Sequence, residues 1–247
     1  MPENTPKKTA LVTGASSGIG RAVAVRLRAA GWTVIALGRS QEALDALAQE
    51  CGAQTLAVDV RNTAELTRLL AGKTLDAVIH AAGVLSSREL FQDIDPDAID
   101  QMIATNLSAP VHLTRALLPA MIARQTGHLL FIGSSAGRWA HPNASVYGAT
   151  KAGISLFCDA LRCDLLGTGV RVTELAPGRV QTQLYKSTLG DDAGKQLYDG
   201  YASIQPSEIA ELVLSCLQLP PHVDVSRLEV FPTDQAVGGA RIVPARQ

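Results

Sequence analysis

Short apolar runs alternate with longer amphipathic stretches along the whole chain. Thr9–Thr13, Thr33–Leu37, Gln54–Val58 and Leu75–His80 read as strands. Between them, Ile19–Ala30, Gln41–Glu50 and Thr63–Leu70 carry helical spacing, with Leu44, Leu47 and Ala48 on one face of the second and Leu66, Leu69 and Leu70 on one face of the third. The early strands are near-continuous apolar runs, the pattern of strands covered on both faces in a parallel sheet. The second half keeps the rhythm with longer helices. Pro96–Arg124 is predicted mostly helical with kinks at Pro110 and Pro119, since proline removes a helical donor. His128–Ile132 follows as a strand, Ser145–Leu166 as a helix and Val170–Leu175 as a strand. Pro206 suits the first turn of a helix running to Leu219, and Arg227–Phe231 reads as the last strand. Strands joined by helices form right-handed βαβ units, so the expected architecture is α/β, a doubly wound parallel sheet of the Rossmann type. No repeat, low-complexity tract or linker interrupts it. A single domain over residues 1–247 is expected, with 1–7 and 238–247 as flexible tails.

Composition narrows the function. The chain is 47% hydrophobic and 18% charged, enough apolar material for one large core. A net charge of -1 gives no electrostatic case for nucleic acid or an anionic membrane as partner. Met1–Lys8 lacks the apolar region of a signal peptide. No apolar run approaches the roughly 18 residues of a membrane span, so a cytoplasmic protein is expected. Cys51, Cys158, Cys163 and Cys216 form no CxxC pair and are expected as small buried or half-buried hydrophobes. The five histidines show no metal-ligand spacing, so no metal is expected.

Between the first strand and the first helix lies Thr13-Gly14-Ala15-Ser16-Ser17-Gly18-Ile19-Gly20. Glycines at this point let the backbone turn tightly and approach a pyrophosphate, while the helix behind them presents free N–H groups. The spacing is G-x-x-x-G-x-G. At the end of the second strand, where an acid would bond the ribose hydroxyls of NAD, the chain has Gly38-Arg39-Ser40. Arg39 can pair with a 2′-phosphate and Gly38 leaves room for it, which favours NADP(H) over NAD(H). Further on, Tyr147 and Lys151 stand four apart on a predicted helix and share a face. A free tyrosine has a pKa of about 10, and a neighbouring ammonium favours the phenolate. Tyr147 is therefore a candidate general acid/base, with Lys151 lowering its pKa.

These motifs together resemble the short-chain dehydrogenase/reductase family, whose TGxxxGxG signature is matched at Thr13, Gly14, Gly18 and Gly20. The resemblance covers nearly the whole chain and implies hydride transfer between a nicotinamide dinucleotide and a small carbonyl or alcohol. It places Ser134, thirteen residues before Tyr147, as the group that orients the substrate oxygen, with Ser135 as the fallback. It gives Asn106 a water that links Lys151 to solvent, and puts Asp59 and Val60 against the adenine. Ser16, Ser17, Ile19, Ala82, Gly83, Pro177, Gly178, Val180 and Thr182 complete the implied dinucleotide contacts. The chain departs from the family after the fourth strand, with His80-Ala81-Ala82-Gly83 where Asn-Asn-Ala-Gly is common. His80 is read there as a hydrogen-bonded strand-end residue. Pairing of the two long helices between subunits implies a homotetramer or homodimer.

Gln183–Tyr201 looks like a lid over the site, and Arg138, Arg179 and Lys186 fall near the expected pocket, able to hold a carboxylate as in members acting on 3-hydroxy acids. Gly133-Ser134-Ser135-Ala136-Gly137 has the form of a hydrolase elbow, but neither His141 nor His222 follows a convincing acid in chain order. Too few residues follow Gly178 for the substrate domain of an epimerase. A dinucleotide-binding regulator on the same fold is the alternative from another class. A sensor has no chemical reason to carry Ser134, Tyr147, Lys151 and Asn106 together.

Overall fold

Seven parallel strands run in the order β3-β2-β1-β4-β5-β6-β7 in a computed structural model that describes residues 7–186, 188–190, 192, 197–238 and 241–242. They are β1 (Thr9–Thr13), β2 (Thr33–Gly38), β3 (Gln54–Ala57), β4 (Ala77–His80), β5 (Gly127–Ile132), β6 (Val170–Pro177) and β7 (Arg227–Val230). The strand side chains alternate between two buried layers, which explains the continuous apolar runs. Ala10 and Val12 of β1 face one layer and Leu11 the other; Ala77 and Ile79 of β4 oppose Val78 in the same way. On the first face lie α1 (Gly18–Ala29), α2 (Gln41–Cys51) and α7 (Pro206–Gln218), through Val23, Leu27, Leu44, Leu47, Ile209 and Val213. On the second lie α3 (Thr63–Leu70), α5 (Ala109–Ala123) and α6 (Ser145–Asp164), through Leu66, Leu113, Ile154 and Leu161. Each such side chain contributes about 1.5–3 kcal/mol by leaving water. The edge strand β3 is only half covered.

Local signals set the helix ends. The Ser40 hydroxyl accepts from the Ala43 N–H at 3.2 Å to cap α2, which stops at left-handed Gly52. Gln205 and Glu208 form a reciprocal capping box ahead of Pro206. The predicted long helix at 96–124 is divided: α4 (Pro96–Ile103), a π-turn over Ala104–Ser108, then α5. Pro110 has no N–H to return to the Asn106 carbonyl four residues earlier, and the helix widens just before it. The kink expected at Pro110 is thus a π-turn centred on Asn106, while Pro119 is carried inside α5.

One expectation changes. Cys163 is exposed at the end of α6, five residues from buried Cys158, because those positions lie on different helix faces. Gln235, ahead of the segment expected as a tail, forms an antiparallel bridge with Ile242 inside it. Residues 1–6, 239–240 and 243–247 of the expected tails lie outside the described residues. No described helix is long and apolar enough to cross a membrane.

Candidate active site

The sheet order reverses between β1 and β4, and at their C-terminal ends a cleft of about 590 Å³ opens, where doubly wound sheets bind ligands. Thr13, at the end of β1, ties the two chain segments together: its hydroxyl accepts from the N–H groups of Ala81 and Ala82, both at 3.1 Å. Gly14, at φ +68°, packs so tightly that a Cβ there would stand 2.7 Å from the Ala82 Cα. A Cβ on Gly20 would stand 2.4 Å from the Gly14 carbonyl oxygen. The first turn of α1 thus lies directly against the glycine turn. Ser17 starts α1 in an extended conformation without a side-chain cap, so the first-turn N–H groups remain for a ligand. Gly14, Ser16, Ser17, Gly18, Ile19 and Gly20 all line this end of the cleft.

Arg39 lines it too, exposed beyond β2. Asp59 and Val60 form the adjoining wall. The Arg61 guanidinium grips the Asp59 carboxylate through two contacts, at 3.0 and 2.8 Å, and holds it below the usual carboxylate range, with a smaller push from the Arg39 charge. Ala82, Gly83, Pro177, Gly178, Val180 and Thr182 continue around the cleft toward its other end.

That end is built by β5 and α6. Ser134 follows β5 and starts a single 3₁₀ turn, Ser135–Gly137, its hydroxyl accepting from the Ala136 N–H at 3.2 Å. Gly137 lets this turn meet α6, since a Cβ would fall 2.8 Å from the Lys151 carbonyl. Ser134, Tyr147 and Lys151 line the cleft together. The fallback Ser135 is buried and does not line the cleft. Burial pushes the Tyr147 phenol above the ordinary tyrosine value, Tyr185 adds to the rise, and Ser134 pulls part of it back. Burial lowers Lys151 to about 8 against a partial counter-effect of Glu174. The Lys151 ammonium donates to the Ile132 carbonyl at 2.9 Å and lies 5.7 Å from the Tyr147 ring centroid. Desolvation, rather than the neighbouring ammonium, sets the direction of the Tyr147 shift.

Asn106 stands behind the cleft. Its side chain accepts from the Val84 N–H at 2.8 Å and donates to the Val84 carbonyl at 2.9 Å, pinning the chain after β4. It reaches Thr150 at 3.3 Å. It faces a small inner cavity that Lys151 also lines.

Residues 8–192 match the short chain dehydrogenase family. The chain belongs to that family. It is 50% identical over 236 residues to an uncharacterized short-chain type dehydrogenase/reductase of Sinorhizobium fredii, covering 95% of each chain. It is 40% identical over 238 residues to sulfoacetaldehyde reductase 2 of Chromohalobacter salexigens, covering 92% of this chain and 94% of that one. Among solved structures, the closed form of a serine dehydrogenase complexed with NADP+ superposes with a TM-score of 0.90 at 36% identity, covering 97% of this chain and all of that one.

Within this short-chain dehydrogenase, the substrate end differs from the sequence expectation. Arg138 lies 3.5 Å from Glu229 and over Trp139, and Arg179 donates to the Leu197 carbonyl at 3.0 Å. Neither these nor Lys186 line the cleft, whose cations among the described residues are Arg39 and Lys151. The wall beside Tyr147 is instead Leu85, Ser86, Gln101, Leu184 and Tyr185. The Ser86 hydroxyl donates to Gln101 Oε1 at 2.6 Å across the β4–α4 loop. Ser86 and Gln101 carry no spacing signal, because a loop and a separate helix bring them together. Of the expected lid, residues 187, 191 and 193–196 lie outside the described residues; the rest packs Tyr185 edge-on to Tyr198, whose hydroxyl donates to the Val180 carbonyl at 3.0 Å.

Proposed function

We propose that this short-chain dehydrogenase passes a hydride between NADP(H) and a small, polar carbonyl or alcohol substrate. The observation that carries the reading is the convergence of Ser134, Tyr147 and Lys151 at one end of a cleft whose other end is a glycine cradle with Arg39. The cradle fits the dinucleotide: Gly14 and Gly20 leave no room for side chains against the backbone that shapes it, and uncapped α1 turns its positive end toward it. The solved relative complexed with NADP+ supports the same cofactor here.

Held in this cradle, NADPH would supply the hydride for the carbonyl carbon. Tyr147 gives its phenol proton to the carbonyl oxygen, so the products are the alcohol and a tyrosinate. Ser134 donates to the same oxygen, as an oxyanion donor does, and fixes its position. Lys151 returns a proton to the tyrosinate. A phenol held above its ordinary pKa is fully protonated at neutral pH, which suits the reductive direction. Asn106 acts from behind, by holding the loop at Val84 and by facing the cavity beside Lys151.

The Ser86–Gln101 pair favours a substrate with a second polar group. The names of the relatives point to sulfoacetaldehyde and serine, both of which carry an anionic group. Exposed Ala149, Ala152 and Leu156 on α6 support a homo-oligomer built on that face.

The test is to follow NADPH and NADH absorbance while the purified protein meets sulfoacetaldehyde, 3-oxo acids and unsubstituted aldehydes. Oxidation of NADPH in preference to NADH, faster with a carbonyl that carries a second polar group than with unsubstituted aldehydes, is expected. Dinucleotide binding with no oxidation by any of these carbonyls would favour a regulator instead.

A further inference from the structure

Ser86 comes from the β4–α4 loop and Gln101 from α4, and both line the cleft on the wall that Tyr185 shares. Leu85 and Met102, their chain neighbours, pack in one apolar cluster with Tyr147 and Tyr185. The pair therefore belongs to the same packed wall as the reacting phenol. The Thr188 hydroxyl donates to the Leu85 carbonyl at 2.5 Å, and the Arg88 guanidinium lies 5.6 Å over the Tyr185 ring. The loop that carries Ser86 is thus held both by α4 and by the segment after β6.

The pair has hydrogen-bonding capacity in reserve. The Ser86 hydroxyl donates to Gln101 Oε1 at 2.6 Å, and neither side chain makes another hydrogen bond among the described residues. The Gln101 amide N–H groups and the Ser86 lone pairs are left for a ligand. Turning the amide over exchanges the roles and leaves the same offer, an O–H from Ser86 and an oxygen from Gln101. In either orientation the pair presents one donor and one acceptor side by side.

That combination discriminates chemically. A hydroxyl accepts from the donor and donates to the acceptor, so it satisfies both. A carboxylate or a sulfonate only accepts, and it leaves the acceptor of the pair desolvated and without a bond, which costs free energy. Charge points the same way. Of the charged groups that line the cleft among the described residues, Arg39 and Asp59 stand at the dinucleotide end. Lys151, the third, donates to the Ile132 carbonyl. Arg88 lies over Tyr185 and does not line the cleft. Beside the pair, Leu85, Leu184 and Tyr185 give an anion no counter-charge.

We infer that the second polar group of the substrate is a neutral hydroxyl: the substrate class is a small hydroxy-aldehyde or hydroxy-ketone, and its reduction product a diol. The reaction rests on the proposed hydride transfer, whereas the choice of a hydroxyl over an anion rests on the Ser86–Gln101 pair. An anionic carbonyl, the class that the relatives' names point to, is the competitor.

Two measurements separate these parts. Glyceraldehyde, propanal and sulfoacetaldehyde differ in what they carry beyond the carbonyl. In NADPH oxidation, kcat/KM for glyceraldehyde should exceed that for each of the others about tenfold, the scale of one or two neutral hydrogen bonds. The glyceraldehyde-to-propanal ratio should approach one in Ser86→Ala and in Gln101→Leu. Sulfoacetaldehyde reduced faster than glyceraldehyde, or a ratio unmoved in both folded variants, overturns the inference. The second measurement needs no turnover: ligand-observed NMR titration of NADPH-loaded protein with 1,2-propanediol, 1-propanol and ethanesulfonate. The diol should bind most tightly of the three, and ethanesulfonate or 1-propanol bound as well as the diol overturns the inference. A diol held preferentially by a protein that reduces none of the carbonyls keeps the hydroxyl site and overturns the proposed reduction. Should neither variant fold, the carbonyl panel and the titration of the unaltered protein decide.

Discussion

Replacing Arg39 with glutamine removes one charge from the dinucleotide end and little else. The guanidinium is exposed, and the buried Gly38 before it lies against Ser16, where a Cβ would stand 3.1 Å from the serine side chain. The backbone therefore delivers Arg39 past the glycine cradle to the end of the cleft, where the proposed function assigns it the 2′-phosphate. A hydrogen bond to a charged group contributes about 1.5–3 kcal/mol. Exposure and salt screening place Arg39 at the lower end, so about 1.5 kcal/mol, or roughly tenfold, is expected. The assay is kcat/KM for NADPH and for NADH, measured in parallel on the parent and Arg39→Gln. The NADPH value should fall about tenfold while the NADH value holds, and added salt should shrink the difference between the two proteins. An unchanged ratio, or equal loss with both cofactors, would refute the assignment of Arg39 as the phosphate reader.

Gly20→Ala drives a methyl group against the Gly14 carbonyl, 2.4 Å from its oxygen, where only backbone can give way. Stability should fall by about 1–3 kcal/mol in urea titration, and NADPH affinity should fall with it; a variant that binds NADPH as the parent does would show the turn to be more pliable than this. Burial lowers Lys151 to about 8, below the ordinary lysine value of 10.5. The folded state therefore carries a buried ammonium at a cost that is fully present below pH 8 and relieved as pH rises to 10.5. In the absence of cofactor, the parent should gain up to roughly 3 kcal/mol relative to Lys151→Met across that window; parallel urea midpoints of the two proteins would contradict it. The same titration predicts that carbonyl reduction slows above about pH 8, as Lys151 loses the proton it returns to Tyr147.

What the sequence made legible was local. The glycine turn, Arg39 after the second strand and the Tyr147–Lys151 pair each depend on residues a few positions apart, and spacing carries them directly onto a strand end or a helix face. The two-layer alternation of Ala10, Leu11 and Val12 likewise follows from one apolar run. What stayed hidden depends on encounters between distant segments. The sense of the Tyr147 shift turns on desolvation by the surrounding walls, which no spacing encodes. Arg138 and Arg179 were visible as charges, but their engagement with Glu229 and the Leu197 carbonyl required the fold. Asn106 was identified from its motif, yet its clamp on Val84 comes from a loop 22 residues earlier. The hydrogen bond of the His80 ring to Thr114 and its stack on Phe131 come from two other elements.

The most direct test of the central claim is Tyr147→Phe, assayed by NADPH oxidation with the best carbonyl and by NADPH titration of the same preparation. Loss of the phenol hydroxyl removes the proton donor and keeps the ring, so turnover should fall by about 10²–10⁴-fold while NADPH binding is retained. Turnover close to that of the parent would contradict the assignment of Tyr147 as the acid that completes the reduction.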